Sequence, residues 1–266
     1  MEYLGSLGRL VGLRCASTER VGAESRYSVR TTVEGRRRAQ VVPSSPRAWD
    51  VSWGAGKNPD IAALSAFASG GWGAGPWHWV PVQAQRGNLL TPREALLMER
   101  ANVAGVADGP PMLDADGQWF PRSLNIALPG TAATFVRDLP VISGGSVTFT
   151  ADVERRTGAP GLSVGFYDGT GAAAGVLLEY GEASAGVQRV SVSGAVPQGA
   201  VSMAVGVHAN TGRLTRPQVT WTDGPVPYSA GHGCRAAVVD GWSEDLIVAH
   251  RSGTYSSVGF TVMEVS

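Results

Sequence analysis

The chain has 266 residues, 43% of them hydrophobic, and its 22 basic and 22 acidic side chains cancel. This length exceeds one typical domain, and the balanced charge excludes a global attraction to nucleic acid or to an anionic membrane. With 36 glycines, 16 prolines and only two cysteines (Cys15 and Cys234), the composition argues against a helical bundle and a secreted disulfide scaffold; many short strands and two free or loosely paired thiols are expected.

The opening "MEYLGSLGRLVGL" has an early acidic residue and an apolar run broken by Gly and Arg, so it predicts no signal peptide. No apolar stretch reaches the length of a membrane span. Leu4, Leu10 and Leu13 among glycines predict strands. In "SRYSVRTTVEGRRRAQVVP", Tyr27, Val29, Thr31 and Val33 alternate with Arg26, Ser28, Arg30 and Thr32, the period of a half-buried strand. "AWDVSW" follows, with Trp49, Val51 and Trp53 on one side. "NPDIAALSAFASGG" predicts a helix. Asn58 suits the N-cap, Pro59 the first turn and Asp60 the positive helix end, with an apolar stripe Ile61, Leu64, Ala68 and a stop at Gly70–Gly71. "GGWGAGPWHWVP" then turns into a strand with Trp77 and Trp79 on one face and His78 on the other.

In "NLLTPREALLME", Thr91 and Glu94 have capping-box spacing and predict a short helix; the alternative is a strand at "NLL" followed by loop. Residues 101–122, rich in Gly, Pro and Asp, read as surface loops. Eight strands at regular spacing come next: "SLNIAL", "TFVRDLPV", "SVTFTADVER", "GLSVGFYD", "GVLLEYG", "QRVSVSGAV", "VSMAVGVHAN" and "PQVTWTD". That pattern predicts a jelly-roll β-sandwich. "DGPVPYSAGHG" reads as a linker, and "CRAAVVD", "EDLIVAHRSG" and "YSSVGFTVMEV" as three final strands. The expected fold is therefore mainly β, with one short α-helix in a first domain of sandwich or barrel type. That domain is formed by residues 1–88 and 229–266 together, and a jelly roll of residues 89–228 is inserted in it. The terminal pieces together carry a formal charge of +3 and the insert −3.

Several short motifs bear on chemistry. "GLSVG" matches the nucleophile elbow at Ser163, but strand and turn, not helix, follow it, so Ser163 is read as an outward sandwich residue. His232 and Cys234 are too few for zinc. "DADGQW" offers Asp114 and Asp116 but lacks the other ligands of a calcium loop, and reads as an acidic turn. The pairs Asp152/Glu154 and Glu244/Asp245 read as solvated faces. No catalytic, cofactor or metal residue is assigned. Arg36, Arg37 and Arg38 are candidates for an inter-subunit edge, because an exposed strand edge must be guarded or paired. Trp119, Tyr167, Tyr180 and Trp221 are candidate sugar platforms, since aromatic faces stack on apolar sugar faces.

The segment from "RTTVEGRRRAQVVP" through "WDVSW", "NPDIAALSAF", "GPWHWVP" and "NLLTP" resembles the opening of minor tail proteins of long-tailed actinobacteriophages that act as the distal tail protein. "LPVISGGSVTFTADVERRTGAPGLSVGFYDGTGA" looks like a galectin-like or carbohydrate-module-like jelly roll. The resemblance implies a non-enzymatic structural protein of the virion tail tip, assembled in the host cytoplasm. It implies a homo-oligomeric ring, most plausibly a hexamer, between the tail tube protein and the baseplate hub and tape-measure proteins. Host cell-wall glycan is a further expected partner, bound directly by the jelly roll in the alternative reading. Trp77 and Trp79 become core or ring-interface anchors. No cofactor, nucleic acid or membrane is implied.

Overall fold

The computed structural model describes every residue except 15, 22–26, 32–36, 42–45, 74, 129–130, 184–185, 251–252 and 266. The first elements are β1 (Glu2–Ser6), β2 (Arg9–Leu13), β3 (Ser17–Val21), β4 (Tyr27–Thr31), β5 (Arg37–Val41), β6 (Ala48–Lys57), α1 (Asn58–Ala68), β7 (Trp77–Val80), α2 (Val82–Arg86) and α3 (Pro92–Ala95). Then come β8 (Val106–Gly109), β9 (Met112–Leu113), β10 (Trp119–Phe120), β11 (Ser123–Ile126), β12 (Ala132–Pro140), β13 (Ser146–Arg155), β14 (Gly161–Asp168) and β15 (Ala173–Tyr180). The chain ends with β16 (Val187–Ala195), β17 (Ala200–His208), β18 (Thr211–Thr220), β19 (Cys234–His250) and β20 (Gly253–Glu264). The expected mainly β fold is the observed one. No helix among the described residues is long and apolar enough to cross a membrane.

The chain divides into two compact units, one of residues 1–2, 11–79 and 235–266, the other of residues 3–10 and 80–234. The boundaries thus fall at 79/80 and 234/235 instead of 88/89 and 228/229, and the first strand region groups with the second unit. The reason is that residues 80–91 and 229–234 pack on the jelly roll. The amides of His232 and Gly233 donate to the carbonyls of Asn88 and Leu90 at 2.9 and 3.0 Å. A Cβ on Gly233 would lie 1.7 Å from the Leu89 carbonyl oxygen, so only glycine allows this approach. Asn88 is fully buried and saturated: its amide nitrogen donates to the carbonyls of Pro217 and Ser229, and its oxygen accepts from the amides of Leu90 and Val219, all at 3.1–3.2 Å.

In the first unit β7, β19, β20, β6 and β3 lie side by side in that order. The C-terminal segment forms two strands, not three, because "CRAAVVD" and "EDLIVAHRSG" join into one seventeen-residue β19. Trp49, Val51 and Trp53 are buried together, as their alternation predicts. Arg47 closes the start of β6 onto the end of β20 with a two-pronged ion pair to Glu264 (2.8 and 2.7 Å). The buried stripe of α1 is Ile61, Leu64 and Phe67; Ala68 is exposed. Phe67 replaces it because two tryptophans clasp its ring: Trp72 stacks on it at 5.1 Å and Trp77 meets it edge-on at 5.1 Å. Trp72 Nε1 also donates to the Ala63 carbonyl, so the glycine-rich corner folds back over the helix end. Trp77 and Trp79 are buried, and Trp79 meets Trp49 at 6.3 Å. Of the two roles expected for these tryptophans, their burial within the chain is that of core anchors.

The second unit is a sandwich. One sheet orders β16-β13-β18-β11-β8 and the other β12-β17-β14-β15. Counting only the eight strands expected from sequence, the first sheet holds the sixth, third, eighth and first, and the second holds the second, seventh, fourth and fifth. This interleaving is the jelly roll. Phe149, Val153, Val190, Val192 and Leu214 of one sheet share a core with Phe135, Leu162, Val164, Phe166 and Val205 of the other. The capping box at Thr91 and Glu94 is present, so the helical reading of "NLLTPREALLME" holds. Residues 101–122 are not all loop: β8 pairs with β11 and β9 with β10, and α2 is an element the sequence did not announce.

Candidate functional site

Strand β13 alternates Phe149, Ala151 and Val153 inward with Thr148, Thr150 and Asp152 outward. Outward here does not mean solvated. Thr148 pairs with Ser193 (2.9 Å), Thr150 with Ser191 (2.8 Å), and Asp152 is 0% exposed. Residues 223–228 and the β9–β10 hairpin, anchored through Tyr228, Asp114 and Asp116, lie over this face. The expected solvated pair is thus half wrong: Glu154 is partly exposed and pairs with Arg213, while Asp152 is the centre of a buried ionic cluster.

Two guanidiniums hold Asp152. Arg189 Nη1 donates to Oδ1 at 3.2 Å, and Arg216 Nε lies 3.3 Å from Oδ2. Arg216 also pairs with Asp114 and with Asp116 (3.0 Å) of the hairpin turn. Its backbone is left-handed, with φ of 49°, and sits in a bulge where Arg216 and Pro217 together oppose Ala151. A non-glycine residue at such a φ is held there at a cost of about 1–3 kcal/mol, and bulges re-aim side chains. Here the bulge delivers one guanidinium to three carboxylates. Tyr228 closes the cluster, 4.8 Å from Arg216 and 5.7 Å from Arg189, with Phe120 edge-on at 6.0 Å. Gln218 completes it by accepting from Arg189 Nη2 at 2.8 Å and donating to the carbonyls of Gly87 and Pro227.

The electrostatics follow from burial and pairing. Burial pushes Asp152 above the ordinary carboxylate value, against the pull of Arg189 and Arg216. Burial also acts to raise Asp114, but the amides of Gln118 and Asp116 and the Arg216 charge outweigh it and hold the group below its ordinary 3.8. Asp114 therefore binds its proton less readily folded than unfolded. Its contribution to stability is complete above 3.8 and is lost as pH falls through the lower folded value. Acid unfolding of Asp114→Asn will accordingly fall less steeply below pH 3.8 than that of the parent chain, as followed by circular dichroism across a pH series.

Between this cluster and the segment Pro225–Pro227 lies a cavity of about 430 Å³, lined by Asp116, Thr150, Arg189, Ser191, Arg216, Pro225, Val226, Pro227 and Tyr228. That is within the range of ~300–1,000 Å³ common for small-molecule sites. Hydroxyls, a guanidinium and a carboxylate face a wall of proline, valine and tyrosine. Of the charged residues that line it, Arg189 and Arg216 outnumber Asp116, and Asp114 and Asp152 balance the arginines from within the cluster.

The four aromatic candidates do not form one site. Trp119 is 72% exposed on β10, on the hairpin that supplies Asp116 to the cavity. Trp221 is half-buried: it packs on the core, meets Tyr3 edge-on at 5.4 Å, and its Nε1 donates to the Pro140 carbonyl. Of the four candidates it is the one packed against the sandwich core and tied to it by its indole nitrogen. Tyr167 and Tyr180 share the outer face of the four-stranded sheet, where Tyr180 lies opposite Gly161 and meets His208 edge-on. On the same face Ser163 sits opposite Leu178 and Gly206, within β14, with no helix after it and hence no nucleophile elbow. No cluster of three or more metal-ligating side chains occurs among the described residues; His232 bonds to Ser229 at 2.9 Å and Cys234 is buried. Asp114 accepts from the amides of Asp116 and Gln118 within its own turn, the ordinary acidic-turn geometry. Arg36 lies outside the described residues; Arg37 and Arg38 are on β5. Asp152, Arg189, Arg216 and Tyr228 were not found from sequence as a site, because 37 or more residues separate Asp152 from each partner.

Fold and site define a jelly-roll β-sandwich with a polar pocket on one outer face, joined to a second, mostly β unit. No protein-family model matches the chain, and no curated protein is detectably similar in sequence. Among solved structures, the chain is similar to the enzymatically active domain of tailspike protein 4 of bacteriophage CBA120, at 14% identity over 51% of this chain and 21% of that one (TM-score 0.39). It thus spans about a fifth of the tailspike chain. It is also similar to the carbohydrate-binding module CBM6cm-2 of Cellvibrio mixtus lichenase 5A (16% identity, 47% and 93% coverage, TM-score 0.32). A third similar structure is the CBM22-1 xylan-binding domain of Paenibacillus barcinonensis Xyn10C (16% identity, 53% and 99% coverage, TM-score 0.32).

Proposed function

We propose that the chain is a non-enzymatic tail-tip protein of a long-tailed phage whose jelly roll binds a neutral saccharide of the host cell wall. The cavity beneath Pro225–Pro227 carries the saccharide reading. Thr150, Ser191, Arg189 and Asp116 supply hydrogen-bonding groups for ring hydroxyls, and Tyr228 and Val226 supply apolar surface for a sugar face. Trp119, exposed on the neighbouring hairpin, extends the contact to a second sugar unit.

Glycan-array and host-wall pull-down binding by the full chain test this. Ser191→Trp fills the cavity from a partly exposed position and will abolish binding while leaving the melting temperature close to that of the parent. Trp119→Ala will weaken binding with a stability change of about 0.5 kcal/mol or less, as for an exposed surface residue. Binding unaffected by Ser191→Trp moves the site elsewhere, and no binding to any glycan or wall fraction removes the saccharide reading.

A second role belongs to the first unit, the distal-tail ring that the resemblance of residues 30–92 implies. A long, open strand edge on β19 favours it, because such an edge is an assembly surface when it is not blunted. The tail tube, baseplate hub and tape-measure proteins are the partners of that reading, and the virion tail tip its location.

A further inference from the structure

The jelly roll has a second cavity, of about 190 Å³, at the other edge of the same five-stranded sheet. The first cavity is lined by Arg189 and Ser191 of β16, one edge strand. The second is lined by Asp108 and Gly109 of β8, the opposite edge strand, and by Ser123 of β11 beside it. Four strand spacings, about 19 Å, separate the two edges. Leu124 points into the core, so Ser123 faces the outer side, as Asp152 does. The β9–β10 hairpin reaches both cavities: Asp116 of its turn lines the first, and Pro121, directly after β10, lines the second. Trp119, exposed on that hairpin, falls between these two residues.

Backbone strain marks both places. Among the described residues, three that are not glycine have a left-handed backbone: Leu97, Asp138 and Arg216. Leu97 lines the second cavity and Arg216 the first. Strained positions of this kind gather at binding sites. The second cavity also carries a distinct charge. Asp108 is answered by Arg100, whose Nε lies 3.5 Å from its Oδ1. Arg122, which lines the same cavity, is exposed, and its backbone carbonyl accepts from the Thr215 hydroxyl at 2.8 Å. Its guanidinium has no ion pair or hydrogen bond among the described residues. One uncompensated positive charge is therefore left at the cavity, in the planar fork that matches a carboxylate or a phosphate.

We infer that the second cavity is a subsite for an anionic substituent, a carboxylate or a phosphate, on the same glycan whose uncharged unit occupies the first cavity. Arg122 receives the anion, and Trp119 stacks on a sugar carried between the two. The ligand is then a polymer with acidic decoration and not a single terminal sugar, because one ring cannot span cavities at opposite edges of the sheet. The subsite rests on the reading of the first cavity as a saccharide site, and adds the charge and the length of what it binds.

Titration of the full chain against cell-wall glycan of an actinobacterial host tests it. The glycan is used as isolated, after reduction of its carboxylates to alcohols, and after removal of its phosphates. Arg122→Gln weakens binding to the untreated glycan by about tenfold, the scale of one hydrogen bond to a charged group, at an unchanged melting temperature. One of the two treatments weakens binding of the parent by a similar factor and leaves Arg122→Gln unaffected; which one does so separates carboxylate from phosphate. Added salt weakens the parent more than Arg122→Gln. A parent that binds, and whose binding is abolished by Ser191→Trp, while either Arg122→Gln or both treatments change nothing, overturns the anionic subsite and leaves the first cavity as a saccharide site. A parent that binds none of the three preparations overturns both.

Discussion

Arg216→Ala will be among the most damaging single substitutions in the jelly roll, lowering its stability by about 3–5 kcal/mol, the range for removing one partner of a buried ion pair. The side chain is 13% exposed and neutralises Asp152, which is fully buried, and Asp114, which is nearly so. Without it, Asp152 keeps only Arg189, and the β9–β10 hairpin loses its tie to β18. Some of the loss will be recovered by Arg216→Ala combined with Asp114→Asn, since the second change removes a charge left without its partner. Urea unfolding of the three variants measures this. Additive losses in the double variant would show that Asp114 and Arg216 do not interact energetically. On the proposed reading Arg216→Ala also loses saccharide binding, because Arg216 lines the cavity and packs on Tyr228, which lines it too.

Trp79→Ala will cost the first unit about 3–5 kcal/mol, as expected for emptying a fully buried aromatic site. Trp79 is 0% exposed and packs against Trp49, which Arg47 covers from 5.1 Å. The cavity opens beside the Trp49 ring, and α1 cannot fill it, because Phe67 is pinned between Trp72 and Trp77. Trp79→Phe will cost far less, about 1–2 kcal/mol. It leaves a smaller void, and the indole Nε1 it removes has no hydrogen-bond partner among the described residues. Thermal unfolding of the two variants separates the readings: equal losses would mean that the indole nitrogen, not the ring volume, holds this position.

These two residues differ in how visible they are in sequence. Trp79 alternates with Trp77 in a short apolar strand next to a glycine-rich corner, and burial on one face follows from the spacing. Arg216 carries no such mark. It sits beside a proline in a strand, its backbone is left-handed, and its partners are 64 and about 100 residues away. Asp152 shares a strand face with Glu154, which the sequence presents as solvated; the face does point away from the core. Alternation cannot say that residues 223–228 will fold over that face and turn a solvated carboxylate into a buried one.

By itself, the sequence determined the features that local physics controls. Period-two alternation set the spans of β13 and β14 and the order of eight sandwich strands, because each inward residue must reach one core. Thr91 and Glu94 set a helix start through their own hydrogen bonds. Tertiary structure alone decided the cavity, the cluster around Asp152, and the conversion of an apparent linker into a packed segment closed by Gly231 and Gly233. Those depend on which strands become neighbours and on the bulge at Arg216. Charge pairing between residues far apart in the chain leaves no periodic trace, so the site becomes legible only once the sheets have closed.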